Sequence, residues 1–475
     1  MYFERIYDTD LAHASYLIGC QATGEAVVVD PRRDIAIYQR TAQANGLRIT
    51  AVTETHVHAD YVSGTRELAA ATGAALHVSG EGGPGWQYAF EAGQLHDGDT
   101  IALGNITLTA VHTPGHTPEH LSFLVTDGAF ADEPGYLLSG DFVFCGDLGR
   151  PDLLDEAAGG KDTRFAGARQ MFASLRDTFL ALPDHVQVHP AHGAGSACGK
   201  ALGAVPSTTV GYERLHAWWG TYLAANDEDG FITELLEGQP DAPAYFGRMK
   251  RQNLAGPPLL GERGPLHELA PQEVARDLAA AAVVFVDTRA QADVHAGTVA
   301  GALNLPATGA LAGQAAWVID PERETRPLVL LATGPEAAAG LRERLLRVGI
   351  DDVAGYTTTL EGLPTAVPQL VRVDELAGCG AALLLDVRAA GEHSAGNIPG
   401  SQQLHGGRVL WNLDRLPEDG TIVTYCQSGV RSSVVASALR RAGYDVAELE
   451  GSYAAWATAH PAGAEVVPGP EPAIP

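Results

Sequence analysis

The sequence predicts a mixed α/β protein made of one larger unit followed by two smaller, mutually related ones. Three features point there. Short β-branched runs alternate with helical stretches through the first 250 residues, a Pro- and Gly-rich stretch follows, and the remainder contains an internal repeat. A chain of 475 residues also suits about three domains at roughly 150 residues each. Its 45% hydrophobic content is enough for several buried cores.

Taken in order, Ala14-Ser15-Tyr16-Leu17-Ile18, a Gly-bearing turn and Ala26-Val27-Val28-Val29-Asp30 predict a β-hairpin. Helices are expected from Asp34 to Asn45, Gly64 to Ala71 and Gly167 to Leu182, with a strand over Ile49 to Thr53. Leu254-Ala255-Gly256-Pro257-Pro258, continuing through Gly261 and Gly264-Pro265, reads as a linker. The expected domains are therefore 1–250, 265–364 and 368–460, with 461–475 a flexible Pro- and Gly-rich tail.

Acidic residues (58) outnumber Lys and Arg (31), a formal charge of −27, so nucleic acid is excluded as a partner. The opening Met1-Tyr2-Phe3-Glu4-Arg5-Ile6 lacks a basic n-region and an apolar h-region, and no segment offers about 18 uninterrupted apolar residues. A soluble, cytoplasmic protein without a membrane partner is expected. The five cysteines, scattered without paired spacing, fit a reducing compartment rather than a disulfide framework.

The repeat is specific. Asp287, Arg289, Gly297 and Gly301 recur 99 residues later as Asp386, Arg388, Gly396 and Gly400, and Ala332 through Gly349 matches Cys426 through Gly443 at an offset of 94. Each copy reads strand, turn, strand, loop, helix. Ala332 then stands opposite Cys426, with Glu336 in place of Val430 and Ala337 in place of Arg431.

Two segments carry chemistry. In the first unit Thr55-His56-Val57-His58-Ala59-Asp60-Tyr61 is followed by Thr113-Pro114-Gly115-His116, Ser139-Gly140-Asp141 and His189-Pro190-Ala191-His192-Gly193. Imidazoles and carboxylates at these spacings converge on metal ions. For His112, His120 and His189 a backbone-bonded place beside the ligands is expected. In the last unit Cys426-Gln427-Ser428-Gly429-Val430-Arg431 lies between a buried strand, Ile422 to Tyr425, and a helix from Val434 to Arg441. A strand-to-helix loop aims N–H groups at its centre and stabilises a thiolate there. Cys426 is thereby placed as a nucleophile, Gly429 as the residue permitting the tight loop, and Arg431 as the holder of an oxyanion.

The four histidine and aspartate blocks resemble the metallo-β-lactamase superfamily over residues 1–250, which implies an αββα sandwich. The family pattern His-x-His-x-Asp-His ends here in Tyr61, and a neutral phenol is a poor substitute for imidazole. One metal ion is therefore expected rather than two. Resemblance to the persulfide dioxygenase branch implies a single Fe(II) held by His56, His116 and Asp141, with His58, Asp60, Tyr61 and His192 around it as groups that orient ligands or water. Zinc is the alternative metal. Gly149-Arg150-Pro151-Asp152 is similar to that branch's Gly-Arg-x-Asp segment, so Arg150 is expected either to steer an anionic thiol carrier or to form a surface salt bridge. Cys198, six residues after His192, is expected at the rim of the metal pocket, with Lys200 favouring its thiolate.

The cysteine loop, with Asp386-Val387-Arg388 and Gly396-Asn397-Ile398-Pro399-Gly400, resembles a rhodanese domain, a sulfurtransferase module. The middle copy resembles one that has lost its cysteine. In this order the three units look like the bacterial fused persulfide dioxygenase-sulfurtransferases. The resemblance implies a small thiol persulfide, O2 and sulfite as reactants and allows a homo-oligomer. Two other readings stay open: a glyoxalase II-like zinc thioester hydrolase in which His58 joins His56 and His116, and a sulfur carrier whose metal site is vestigial.

Overall fold

Strand His13–Cys20 shows how the first unit is laid out. Its alternate residues Ala14, Tyr16, Ile18 and Cys20 enter one core while Leu17 enters another, the period-2 alternation of a strand buried on both faces. In the computed structural model, which describes residues 1–153, 155 and 163–461, this strand belongs to a six-stranded sheet ordered Tyr2–Asp8, His13–Cys20, Glu25–Val29, Arg48–Thr53, Ala75–Ser79, Gly93–Leu95. The hairpin expected at its centre is present, with Tyr16 opposite Val29.

A second six-stranded sheet runs Thr208–Thr209, Gln187–Pro190, Tyr136–Gly140, Leu121–Asp127, Ile106–His112, Thr100–Leu103. Leu108, Ala110, Phe123, Val125 and Leu138 from it meet Tyr16, Ile18, Val27 and Val29 from the first sheet. Burying each such large side chain stabilises the fold by about 1.5–3 kcal/mol. Helices Ala36–Ala44 and Thr65–Thr72 cover the outer face of the first sheet through Tyr38, Ala42 and Leu68. Helix Thr163–Asp177 covers the second through Ala168, Met171, Phe172 and Leu175. This is the αββα sandwich that the family resemblance implies.

The unit comprises Met1–Ala242 with Phe246–Arg263. It therefore reaches past the expected boundary at 250. The segment read as a linker begins inside helix Phe246–Ala255 and is then tied down: the carbonyls of Pro257 and Pro258 accept from Arg66 and Arg33, and the N–H groups of Leu260 and Gly261 donate to Glu67.

The second unit contains both copies of the repeat. The middle copy is a parallel sheet ordered Leu303–Asn304, Val284–Asp287, Leu328–Leu331, Val353–Thr357; the last is ordered Gln369–Val371, Val446–Leu449, Ile422–Tyr425, Leu383–Asp386, Gln402–Gln403. Strand register bears out the alignment read from the repeat. Leu331 pairs with Asp287 as Tyr425 pairs with Asp386, so Ala332 and Cys426 emerge at equivalent strand ends. Asn304 of the middle copy accepts from Ser433 Oγ at 2.9 Å, and its N–H donates to Ser437 Oγ at 3.0 Å, which pins the helix behind the cysteine loop. The flexible tail expected from 461 lies, from 462 onward, outside the described residues. Among the described residues no helix is long and apolar enough to cross a membrane.

Candidate metal centre and cysteine loop

Each histidine and aspartate block sits where a strand ends. His56 and His58 follow Arg48–Thr53, His116 follows Ile106–His112, Asp141 follows Tyr136–Gly140, and His192 follows Gln187–Pro190. Loops at one edge of two packed sheets bring side chains far apart in sequence together. Gly140 makes the turn into Asp141 possible: its φ is +53°, and a Cβ there would fall 2.5 Å from His120 Nε2 and 2.7 Å from Thr55 Oγ1.

One ligand atom each from His56, His116 and Asp141 lies within 4.8 Å of the other two, and all three residues are buried. Asp141 Oδ2 is 3.5 Å from His116 Nε2 and 3.8 Å from His56 Nε2, and it has no hydrogen-bond partner among the described residues. The outward nitrogens show which lone pairs face inward. His116 Nδ1 donates to the Arg150 carbonyl at 2.8 Å, which leaves Nε2 unprotonated. Thr55 Oγ1 donates to Asp30 Oδ2 at 3.0 Å and so accepts from His56 Nδ1 at 2.9 Å, which leaves His56 Nε2 unprotonated as well. Burial holds both imidazoles below the usual histidine range. Burial opposes ionisation of Asp141, but the neighbouring His192, His56 and His116 outweigh it and hold the carboxyl well below the usual range. Two neutral imidazoles and an orphaned carboxylate oxygen fit a divalent metal ion.

His192 has a different part. Its Nδ1 donates to Asp141 Oδ1 at 2.7 Å and its Nε2 to Asp60 Oδ2 at 3.0 Å, so the ring is an imidazolium between two carboxylates. Burial works against that charge, yet Asp141 and Asp60 raise its affinity for the proton well above the usual value. His58 stands outside the cluster of three, its Nε2 turned to Asp30 Oδ1 at 3.1 Å and its Nδ1 without a hydrogen-bond partner among the described residues. Tyr61 also turns away: its hydroxyl donates to the Asp30 carbonyl at 3.3 Å, and burial raises its pKa well above the usual phenol value.

Asp60, His192 and Cys198 form a second buried group with ligand atoms within 4.8 Å of one another. Cys198 thus lies beside His192, but not as the thiolate expected. Burial pushes its thiol up to about 12, and Lys200 points elsewhere, donating to the Glu234 and Glu237 carbonyls. Arg150 departs further from expectation. It is buried, paired with Asp152 through Nε and Nη2 at 2.8 and 2.5 Å, and its Nη1 donates to the Ala197 and Pro240 carbonyls. A guanidinium engaged on every side is neither a surface salt bridge nor an anion guide; what it contributes to the centre is its backbone carbonyl.

The spacing of motifs missed Asp30 and Asn253, which support the loop carrying the candidate ligands. Asp30 serves Thr55, His58 and Tyr61. His120 Nε2 accepts from the Asp141 N–H at 3.0 Å, and burial pushes its pKa down to about 3. It thus bonds the backbone as expected, as does His112 through the Pro118 carbonyl, whereas His189 packs on the Phe3 ring at 4.7 Å. Asn253 Nδ2 donates to the carbonyls of His58 and Tyr61, both at 2.8 Å, and its Oδ1 accepts from Ser63 N–H at 2.9 Å.

In the last copy Cys426 is buried, and its Sγ accepts from the Gly429 N–H at 3.1 Å. Helix Val430–Arg441 begins directly after Gly429, four residues earlier than expected, because that glycine takes a φ of +103° and turns the chain at once. Arg431 is held by two bonds to Glu392, at 2.6 and 2.8 Å; these raise its pKa, with a smaller contribution from Cys426 nearby. The middle copy also reaches this loop: a Cβ on Gly429 would fall 2.3 Å from Gln291 Nε2.

Known proteins agree with this architecture. The family model for the metallo-beta-lactamase superfamily matches residues 8–192, and that for the rhodanese-like domain matches 370–459. A hydroxyacylglutathione hydrolase of Nitrosococcus oceani is 30% identical over 182 residues, 38% of this chain and 61% of that protein. The persulfide dioxygenase ETHE1, mitochondrial, of Bos taurus is 30% identical over 184 residues, again 38% of this chain and 63% of that protein. The chain thus spans less than two thirds of the length of either relative. A crystal structure of a metallo-beta-lactamase from Staphylococcus aureus subsp. aureus COL is 38% identical with a TM-score of 0.65, covering 75% of this chain and 98% of that one. On fold, donor set and these likenesses together, the chain belongs to the metallo-beta-lactamase superfamily, with a rhodanese-like domain at its C-terminal side.

Proposed function

We propose that the first unit oxidises a low-molecular-weight thiol persulfide with dioxygen at one iron(II) ion held by His56, His116 and Asp141, and that Cys426 then transfers a second sulfane sulfur to the sulfite formed. The observation that carries this reading is the separation of the two acidic groups. Asp141 faces the two neutral imidazoles, while His192, as an imidazolium, takes up the negative charge of Asp60. A second metal ion there would have to displace the His192 proton, and binding Cys198 would mean ionising a thiol whose pKa is about 12. Tyr61 offers no ligand in compensation.

Iron(II), if held by His56, His116 and Asp141, would supply the redox chemistry that lets dioxygen react with sulfur. The protein's own residues do the rest. Thr55 and Asp30 fix the His56 ring, the Arg150 carbonyl fixes His116, and His120 and His192 fix Asp141. The net change is RSSH + O2 + H2O → RSH + H2SO3. In the last copy the Cys426 thiolate takes the outer sulfur of a persulfide and releases RS⁻; sulfite then attacks that sulfur, leaving thiosulfate and the thiolate. The Gly429 N–H and the start of helix Val430–Arg441 stabilise the sulfur anion throughout. The five free cysteines suit a reducing cytoplasm.

One observation favours a second reading. The Asp60, His192 and Cys198 group, with the likeness to hydroxyacylglutathione hydrolases, suits a two-zinc thioester hydrolase. Iron-loaded and zinc-loaded protein should be assayed side by side. Oxygen uptake with sulfite release from glutathione persulfide in the iron form supports the proposal; cleavage of S-lactoylglutathione by the zinc form without oxygen uptake by the iron form refutes it.

A further inference from the structure

We propose that the cysteine-free middle copy supplies a specificity residue for sulfur transfer: Gln291 presents its carboxamide at the Cys426 loop and hydrogen-bonds the oxygens of the sulfur oxyanion that accepts the sulfane sulfur. The choice of sulfite as that acceptor rests on the function proposed above; the placement of Gln291 does not.

Gln291 opens helix Gln291–Ala296 of the middle copy. Its side chain crosses to the last copy and lies against Gly429: a Cβ there would fall 2.5 Å from Gln291 Oε1 and 2.8 Å from Cδ, with Nε2 nearer still. These three are the atoms closest to that position. Gly429 is the residue whose N–H holds Cys426 Sγ at 3.1 Å, so the amide touches the Cα next to the group that steadies the sulfur. Gly429 is buried although Ser428 and Val430 on either side of it are exposed.

The same helix is fixed one turn further on. His295 Nε2 donates to Glu448 Oε2 at 3.0 Å, a buried carboxylate of the last copy that Arg440 also holds at 2.7 Å. Residues four apart share a helix face, so Gln291 reaches Gly429 from a helix clamped to the last copy. Neither contact is inherited from the repeat. At the offset of 99, Ala390 and Ser394 stand where the middle copy has Gln291 and His295.

The transfer step shows what such an amide does. Sulfite attacks the outer sulfur of the Cys426 persulfide; its lone pair forms the new S–S bond, the old one breaks, and that electron pair stays on Sγ as thiolate. Two anions must therefore meet. The guanidiniums that reach the loop are committed, Arg431 to Glu392 and Arg388 to Asp386. The Gln291 amide makes no hydrogen bond among the described residues, and it brings two N–H donors without adding charge. Sulfite attacks through sulfur with its three oxygens splayed sideways, toward a side chain on the rim of the loop. Cyanide attacks end-on and carries its nitrogen straight away from the loop.

Gln291→Met keeps the length and shape of the side chain but removes its donors, and Gln291→Glu keeps the shape but makes it an anion. The full chain is given glutathione persulfide with either sulfite or cyanide as acceptor, without dioxygen so that the first unit leaves the persulfide intact, and KM and kcat are read for each acceptor. Gln291→Met is expected to raise KM for sulfite about tenfold, the loss of one hydrogen bond to a charged group, with cyanide kinetics unchanged. Gln291→Glu should raise it further through repulsion. The proposal is overturned if either variant keeps the parent's KM for sulfite, or if cyanide suffers equally, which would make Gln291 a support of the loop only. Failure of the function proposed above would show in the parent, as sulfur passed to cyanide and none to sulfite, and would overturn this proposal with it.

Discussion

His192 donates a hydrogen bond from Nδ1 to Asp141 at 2.7 Å while its other nitrogen holds Asp60 at 3.0 Å. One proton thereby balances a carboxylate that would otherwise invite a second cation, and Asp141 Oδ2, without a hydrogen-bond partner among the described residues, lies beside His56 and His116.

His116→Ala removes one of the three donors proposed for the metal, so on that proposal the variant is expected to lose its metal and its oxygen uptake. Sulfur transfer to cyanide should persist, because Cys426 belongs to the other unit. Metal analysis beside a cyanide assay checks this; unchanged metal content would refute the donor assignment.

Cys426→Ser is expected to abolish thiosulfate formation from persulfide and sulfite, yet to leave persulfide-dependent oxygen uptake and sulfite release intact. Loss of oxygen uptake as well would make Cys426 part of the first reaction.

Asn253 satisfies two carbonyls and one N–H of the His58 to Ser63 loop. Asn253→Ala leaves these buried groups unpaired, at a cost of roughly 3 kcal/mol in stability. A loosened loop should also bind metal at least tenfold more weakly. Denaturant unfolding and metal titration test both; a variant equal to the parent in both would mean that the loop holds itself.

Glu119 accepts from the N–H of Val57, between His56 and His58, and burial pushes its carboxyl up to about 7. A carboxyl whose folded pKa lies above its unfolded value stabilises the fold below the unfolded pKa, and that contribution is lost as pH rises through the folded one. The parent should therefore lose stability relative to Glu119→Gln between about pH 5 and 8, by about 3 kcal/mol at most. Melting curves of both proteins across that range decide the matter; a difference independent of pH would show that Glu119 does not titrate there.

The clustering of the candidate donors was legible because each follows a strand within a few residues: His56, His116 and Asp141 stand at regular strand ends, and Cys426 precedes a glycine that must turn the chain. Their supports were not. Asn253 reaches His58 across 195 positions and Glu392 meets Arg431 across 39, pairings that only the packed fold creates. Arg150 misled for the same reason, since a Gly-Arg-x-Asp segment looks alike on a surface and in a core. The early start of helix Val430–Arg441 escaped because Arg431, Ser432 and Ser433 are polar and give no apolar period, although Ser432 and Ser433 are buried.

The number of metal ions tests the central proposal most directly. In crystals of iron-loaded protein, anomalous scattering should show a single peak, bonded to His56 Nε2, His116 Nε2 and Asp141 Oδ2, with His192 still hydrogen-bonded to Asp60. Two peaks sharing Asp141, the second bound by Asp60 and His192, would contradict it.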